Sequence, residues 1–276
     1  MFHPFQRPAL PLVILTDLDG TLLDHHDYSF AAAAPALDDL RALGVPVVVV
    51  SSKTLPEVHA LLEELGLRHP CVLENGALVS IPEGYFGATA SLIRLSPDYP
   101  ELCQWLHRLR DEKGYSFTGF SDMQTDELAD RTGLSPEKAA MAKAREGSEP
   151  FVWEDTEQAF ERFLKDVEAA GWRCLQGGRF YHLLGNTNKA AAVEHLLSHY
   201  RAIIGPGMKT VALGDSPNDL PMLAIADTAV IIRRHDGSLM DFPDGESTLK
   251  TRQIGPHGWN EAIHYILTEQ ESKPHV

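Results

Sequence analysis

Two acids spaced by one residue close a short apolar run, Leu12-Val-Ile-Leu-Thr-Asp17-Leu-Asp19-Gly20-Thr21. A strand has a period of two, so Asp17 and Asp19 leave it on roughly the same side. Two carboxylates so placed repel each other, and a divalent cation between them relieves the repulsion. Alone, the stretch reads equally as a strand followed by a β-turn, because Asp and Gly are good turn residues. Three further polar motifs follow apolar runs in the same manner. Ser51 and Lys53 follow Pro46-Val-Val-Val-Val, Glu74 and Asn75 follow Cys71-Val-Leu, and Gly214-Asp215-Ser-Pro-Asn218-Asp219 follows Thr210-Val-Ala-Leu.

These groups supply what phosphoryl transfer needs. Asp17 is the candidate nucleophile, since carboxylates form aspartyl-phosphates. Asp215 can share with it a Mg2+ that screens the attack of one anion on another. Mg2+ takes a few carboxylates plus water and phosphate oxygens, and this set offers that. Asp19 is placed to protonate the leaving alkoxide and then to deprotonate the attacking water. Ser51 would hold an equatorial phosphoryl oxygen by a hydrogen bond, and Lys189 another by charge. Each residue has a plainer reading. Ser51 could simply end a strand, Lys189 could be a surface residue in a first helical turn, and Asp215 and Asp219 could be acids favoured at a helix start. Taken together they point to one site, because open α/β sheets bind ligands at the carboxyl ends of their strands.

The elements that must position them alternate. Residues 31–43 read as a helix with Pro35 in its first turn, and Gly44 closes it. Residues 46–51 are β-branched on both faces, as in a covered parallel strand. Thr54 and Glu57 form a capping box for a helix through residue 65. Asn75-Gly76 between two apolar runs signals a hairpin. After residue 84 the texture changes. Aromatics become dense, and helical periodicity appears at 101–113, 136–145 and 158–170. The α/β pattern then returns, with a helix at 188–200, strands at 210–214 and 228–232, a short helix at 217–226, a polar irregular stretch at 236–251 and a closing helix at 259–267. The expected fold is α/β, a doubly wound parallel sheet formed by residues 1–84 and 184–276, with residues 85–183 inserted as a second, α+β domain. Gly84 and Gly185 lie near the expected hinges. His25 and His26 fall in a polar loop, where adjacent residues make a poor chelate.

The totals narrow the function classes. The 276 residues carry 24 Lys+Arg against 39 Asp+Glu, a formal net charge of −15, which excludes a broad basic surface for nucleic acid. An anionic substrate must then meet a local basic island or a metal. The three cysteines (Cys71, Cys103, Cys174) form neither a disulfide framework nor a zinc spacing. Met1-Phe-His-Pro-Phe-Gln-Arg-Pro has no signal-peptide pattern, and no apolar run approaches the roughly 18 residues of a membrane span, so the expectation is a cytoplasmic protein with no membrane partner.

Asp17-Leu-Asp-Gly-Thr, Ser51 after its apolar run, Lys189 and Gly214-Asp-Ser-Pro-Asn-Asp219 resemble, in order, the four motifs of the haloacid dehalogenase superfamily of phosphatases. The insertion between the second and third motifs resembles its type-two cap. The resemblance implies that Asp17 and Asp215 bind Mg2+ by carboxylate. It implies that Asp19 binds by its backbone carbonyl, leaving its side chain free for proton transfer. A narrower resemblance rests on Ser51-Ser-Lys-Thr54, Glu74-Asn-Gly76, Lys143-Ala-Arg-Glu146 and Gly177-Gly-Arg-Phe-Tyr-His182, which are similar to the mannosyl-3-phosphoglycerate phosphatase family. Ser52-Lys53 stands where many relatives with this cap have Gly-Arg. This resemblance implies Mg2+-dependent hydrolysis of a phosphorylated glycoside, mannosyl-3-phosphoglycerate, to mannosylglycerate, a compatible solute. Implied substrate-binding residues are Lys53, Glu74, Asn75, Arg145, Arg179, His182 and Asn218, with Asp219 in support. That substrate carries a carboxylate beside its phosphate, and Arg145 and Arg179 suit bidentate contacts to such anions. Phe180 and Tyr181 are expected to flank the sugar. The competing readings are the same chemistry on glucosyl-3-phosphoglycerate or a simple sugar phosphate, a phosphomutase, and a non-catalytic sugar-phosphate binder. The intact Asp17, Asp19 and Asp215 set disfavours the last.

Overall fold

The structure is a computed structural model that describes residues 4–87, 89–177 and 179–271. Met1-Phe-His, on which the reading of the N-terminus rests in part, and Gly178 of the Gly177-Gly178 turn lie outside the described residues. In chain order the elements are β1 (Leu12–Thr16), α1 (Ala34–Ala42), β2 (Val47–Val50), α2 (Leu55–Glu64), β3 (Cys71–Leu73), β4 (Leu78–Ile81), β5 (Ser91–Arg94), α3 (Tyr99–Lys113), β6 (Phe117–Gly119), α4 (Thr125–Thr132), α5 (Pro136–Lys143), β7 (Ser148–Trp153), α6 (Glu157–Ala169), β8 (Arg173–Gln176), β9 (Tyr181–Leu184), α7 (Lys189–Ile204), β10 (Lys209–Gly214), α8 (Leu220–Ile225), β11 (Thr228–Arg233), β12 (Thr248–Ile254) and α9 (Gly255–Glu271). They fall into two compact units, residues 1–50 with 84–88 and 195–276, and residues 51–83 with 89–194.

The first unit is built on a parallel sheet in the order β12-β11-β10-β1-β2. β1 and β2 are buried at every position, which follows from β-branched and aliphatic residues on both faces. Thr16 pairs with Leu213 in register, and the ladder runs one step further, with Asp17 N donating to Leu213 O at 3.0 Å. β1 and β10 therefore end side by side. α9 carries the fully buried Trp259, whose indole Nε1 donates to Thr16 Oγ1 at 3.0 Å. That bond pins the last residue of β1 from the helix layer.

The second unit holds two antiparallel systems. β3, β4 and β5 form a meander, with Leu73 opposite Leu78 and Leu78 opposite Arg94. A four-stranded sheet has the order β6-β7-β9-β8. α3 and α6 pack on it around Phe117, Phe151, Phe163 and Leu183, all buried. α4 and α5 close on each other around Met123, Leu128 and Ala139.

Several expected elements are present where the sequence puts them. α1 starts with Pro35 at its N-terminus, and α2 starts at the Thr54–Glu57 capping box, where Glu57 Oε2 accepts from Thr54 N at 2.9 Å. The Asn75-Gly76 hairpin joins β3 to β4, but through a 3-10 turn in which Glu74, Asn75 and Gly76 all have positive φ (49°, 60° and 98°). Three corrections apply. Residues 236–251 are not wholly irregular, because β12 starts at Thr248 and pairs in parallel with β11. α4 was not foreseen, since Leu128 and Ala129 alone among its eight residues are apolar. α5 also stops at Lys143, two residues early, where Ala144 turns to ψ 54°.

Trp259→Phe removes the indole donor and leaves a gap at the end of β1. We expect a loss of about 2–3 kcal/mol, read as a lowered urea midpoint. An unchanged midpoint would mean that this bond does not fix the β1 terminus.

Candidate active site

Asp17 and Asp215 are the first residues beyond β1 and β10. Because those strands are parallel neighbours in register, their two carboxylates are brought together. Asp219 joins them, and carboxylate oxygens of Asp17, Asp215 and Asp219 all lie within 4.8 Å of one another. Asp17 and Asp219 are buried and Asp215 is half-buried. Each is held differently. Thr21 Oγ1 donates to Asp215 Oδ1 at 3.1 Å, and Arg234 Nε donates to Asp215 O at 2.8 Å. Asp219 Oδ2 accepts from the backbone N–H of Asp215 at 3.1 Å and of Ser216 at 3.0 Å. Asp219 thus serves as the N3 acid of a capping box that fixes the 215–219 turn.

Two glycines make the approach feasible. A Cβ at Gly214 would lie 2.6 Å from Asp219 Cβ, so only glycine lets the Asp219 side chain fold back over the strand end. Gly20 has φ +77°, and a Cβ there would come within 3.0 Å of Asp215 Oδ2. The turn after Asp19 is closed by Gly20 N to Leu23 O at 3.0 Å and Leu23 N to Leu18 O at 2.9 Å. Asp19 itself is half-buried at the start of that turn.

The donor set suits Mg2+. Three hard carboxylate oxygens at this spacing match a small hard cation and lack the nitrogen and sulfur that zinc or copper sites use. His25 and His26 do not add to it. The His25 and His235 rings stack face to face, 3.8 Å apart and 4° from parallel, so their in-plane nitrogens cannot converge on one ion.

In the second unit, Ser51 is buried, and its Oγ accepts from Lys53 N at 3.2 Å. Asn75 N donates to Ser51 O at 2.9 Å, which ties the Glu74–Gly76 turn to the Ser51 backbone. Asn75 and Lys189 are both fully buried, Lys189 as the first residue of α7. Asn218, in the first unit, accepts from Ser216 Oγ at 2.6 Å. Glu74 is fully buried. Its Oε1 accepts from Glu146 N at 2.9 Å, and its Oε2 accepts from Gly147 N, Ser148 N and Ser148 Oγ at 3.2, 2.8 and 2.9 Å. Arg145 lies beside it, Nε to Oε2 3.4 Å. The structure brings Glu74 and Arg145 together, and Arg179 to a different place. Both Arg179 Nη atoms donate to Thr132 O at 3.0 Å, at the end of α4. The aromatics expected beside a sugar are half-buried and pack against other rings. Phe180 meets Phe120 edge-on at 5.0 Å, and Tyr181 lies 4.4 Å from Phe160. Sequence reasoning missed Ser148, which bonds both Glu74 and Arg145 and carries no motif of its own.

His182 is 7% exposed, and its Nδ1 has no hydrogen-bond partner among the described residues. Burial, followed by the charges of Arg145 and Lys189, pushes its pKa down to about 3. The imidazole is therefore neutral in the folded protein at ordinary pH. Proton uptake then favours the unfolded chain, so this contribution to stability is whole above pH 6.5 and drains away as pH falls toward 3. His182→Gln is expected to flatten the fall of Tm between pH 6.5 and 4.5, by the equivalent of roughly 2 kcal/mol at pH 5. Parallel pH profiles for the two proteins would contradict the buried neutral state.

Residues 14–240 match the model of the haloacid dehalogenase-like hydrolase family. A Persephonella marina protein named glucosyl-3-phosphoglycerate/mannosyl-3-phosphoglycerate phosphatase is 38% identical over 273 residues, covering 94% of this chain and 98% of the relative. A Methanococcoides burtonii protein of the same name is 36% identical, covering 92% and 97%. Among solved structures, a Thermoplasma acidophilum protein superposes with a TM-score of 0.69 at 19% identity, over 96% of this chain and 99% of that one, a likeness of fold. The parallel sheet with carboxylates at its strand ends and the family match agree: the chain belongs to the haloacid dehalogenase-like hydrolases and is a phosphoric monoester hydrolase.

Proposed function

We propose that the protein is a Mg2+-dependent phosphatase of hexosyl-3-phosphoglycerates, with mannosyl-3-phosphoglycerate the foremost substrate and glucosyl-3-phosphoglycerate the second. The observation that carries the reaction is the cluster of Asp17, Asp215 and Asp219 carboxylates at the ends of two parallel strands. The substrate rests on the two relatives named for both esters, each matched over more than nine-tenths of its length.

Asp17 attacks the phosphorus and becomes an aspartyl-phosphate, expelling the glycoside alkoxide. Asp19 gives its proton to that alkoxide and then takes one from the water that hydrolyses the acyl phosphate. Asp17 and Asp215 would hold Mg2+, with Asp19 lending its backbone carbonyl. The metal supplies charge that offsets the approach of one anion to another. Asp219, whose Oδ2 is engaged by two backbone amides, orients Asp215. Ser51 hydrogen-bonds a phosphoryl oxygen, and Lys189 neutralises another. Lys53, Asn75, Asn218, His182 and Arg145 contact the rest of the substrate, and Arg179 is available to the distal end of a glycoside. Residues 85–183 act as a cap that sets specificity, and residues 1–84 and 184–276 as the catalytic core. The unpaired cysteines fit a reducing, cytoplasmic setting, where a product such as mannosylglycerate serves as a compatible solute.

The test is phosphate release with and without Mg2+ from mannosyl- and glucosyl-3-phosphoglycerate and from simple sugar phosphates. kcat/KM is expected to be at least about tenfold higher for the esters that carry the carboxylate. Asp17→Asn is expected to lower kcat by about a thousandfold or more. Full turnover by that variant removes the proposed nucleophile. Preference for a carboxylate-free ester removes the proposed substrate.

A further inference from the structure

Glu74 is the most heavily engaged side chain near the proposed substrate groups. It sits in a turn where two successive non-glycine residues, Glu74 and Asn75, have φ of 49° and 60°. Such backbone is strained for residues other than glycine and persists where surrounding bonds enforce it. Here the carboxylate supplies those bonds. It sits in the concave arc of three consecutive amides, Glu146, Gly147 and Ser148, and adds the Ser148 hydroxyl. Gly147 brings that arc close, since a Cβ on it would lie 2.9 Å from Ala77 Cβ. The residue immediately before the arc is Arg145.

Arg145 is 8% exposed. Its Nε donates to Ser148 O at 3.2 Å, and Nη2 donates to Ser52 O at 2.9 Å and to Ser148 Oγ at 2.8 Å. Ser148 Oγ accepts from Arg145 and donates to Glu74, so it is a relay between the two. Among the described residues, Nη1 is the one guanidinium nitrogen without a hydrogen bond. Glu74 thus holds the guanidinium directly by charge at 3.4 Å and indirectly through the arc and Ser148, while Ser52 O takes the remaining bond. A buried arginine without a counter-charge would be costly, and here the pairing leaves one edge of it usable. The nearby buried His182, with Nδ1 unpartnered, is a second polar group with capacity for a ligand.

We propose that Glu74 is a positioning residue for specificity: with Ser148 it holds Arg145 so that the Nη1 edge receives the carboxylate of a phosphoglycerate-type substrate. Glu74 itself touches no substrate, in contrast to the substrate contact expected of it from the sequence. This inference rests on the substrate reading above. Two anionic groups on one substrate need two separate cationic contacts. A guanidinium locked on three sides offers its remaining edge at lower entropic cost than a mobile one.

The experiment compares kcat/KM, with Mg2+, for mannosyl-3-phosphoglycerate and for p-nitrophenyl phosphate, which lacks the carboxylate. It uses wild type, Glu74→Gln, Ser148→Ala, Arg145→Ala and the Glu74→Gln/Arg145→Ala double variant. For Glu74→Gln the loss on the phosphoglycerate ester should exceed the loss on p-nitrophenyl phosphate by about tenfold, carried by KM. Ser148→Ala should move the same ratio by a few-fold. In the Arg145→Ala background, Glu74→Gln should change the ratio by less than twofold, because the group it positions is gone. Where Glu74→Gln does not fold, Ser148→Ala decides by the same ratio. Equal losses on both esters, in variants of an enzyme that itself prefers the phosphoglycerate ester, overturn the role of Glu74 alone. A wild-type enzyme with no such preference overturns the substrate reading, and this inference with it.

Discussion

The crowding of three carboxylates at the carboxyl ends of β1 and β10 is the constraint on which the rest of the first unit depends. Two unit charges within 4.8 Å repel by roughly 3–4 kcal/mol at an effective dielectric of about 20. No local turn preference would put them there. The cost is imposed by the parallel register of β1 with β10 and by the Asp219 capping box, and the surrounding bonds are arranged to bear it. Thr21 takes one oxygen of Asp215, two backbone amides take one oxygen of Asp219, and Trp259 holds Thr16, the residue before Asp17. Such an arrangement gains stability as positive charge enters it. A cation held there would therefore also stiffen the strand ends.

What the sequence made legible follows from how local the signals are. β1, β2 and β10 are unbroken apolar runs, and the groups that follow them are acids or a hydroxyl, so both the sheet and the chemistry at its edge can be read by eye. β12 escaped because it is a polar edge strand. Lys250, Arg252 and Gln253 face outward, and Thr251 is the one buried residue of its seven. α4 escaped because its apolar content is two adjacent residues, too few to set a helical period. The roles of Glu74 and Arg145 were half legible. Both stood out as charged residues near a candidate site, but the partners of Glu74 are backbone amides 72 to 74 residues later, and an amide has no sequence signature. Arg179 shows the converse. Its motif drew attention, but the helix-end carbonyl of Thr132 that takes one N–H from each of its Nη atoms has no sequence signature.

The two units handle buried carboxylates by the same physical means, with opposite results. Asp219 and Glu74 each give an oxygen to consecutive backbone N–H groups, which fix a turn and with it a neighbouring side chain. In the first unit that neighbour is Asp215, so the outcome is a concentration of negative charge that suits a hard cation. In the second the neighbour is Arg145, so the outcome is a guanidinium edge that suits an anion. The amide-bound acid holds its neighbour in either case: Asp219, expected from the sequence in a supporting place, and Glu74, expected there as a substrate contact. Its value is geometric. Backbone amides do not titrate and barely move, so a side chain fixed through them is held with little loss of order.

This division bears on how specificity and chemistry can vary separately. The carboxylate cluster depends on strand register, on Gly214 and on Gly20, and none of these can change without disturbing the sheet end. The Glu74–Ser148–Arg145 relay depends on a strained turn and on three amides of one connecting segment. A substitution at Ser148 or Arg145 alters hydrogen bonds that do not involve β1 or β10, so on the proposed reading it changes the anion contact alone. In the proposed mechanism the opening acids Asp17 and Asp19 carry the chemistry, and they lie at the most constrained part of the sheet. The proposed choice of ester rests on Arg145, whose orientation depends on a handful of hydrogen bonds, and that is the more easily altered of the two.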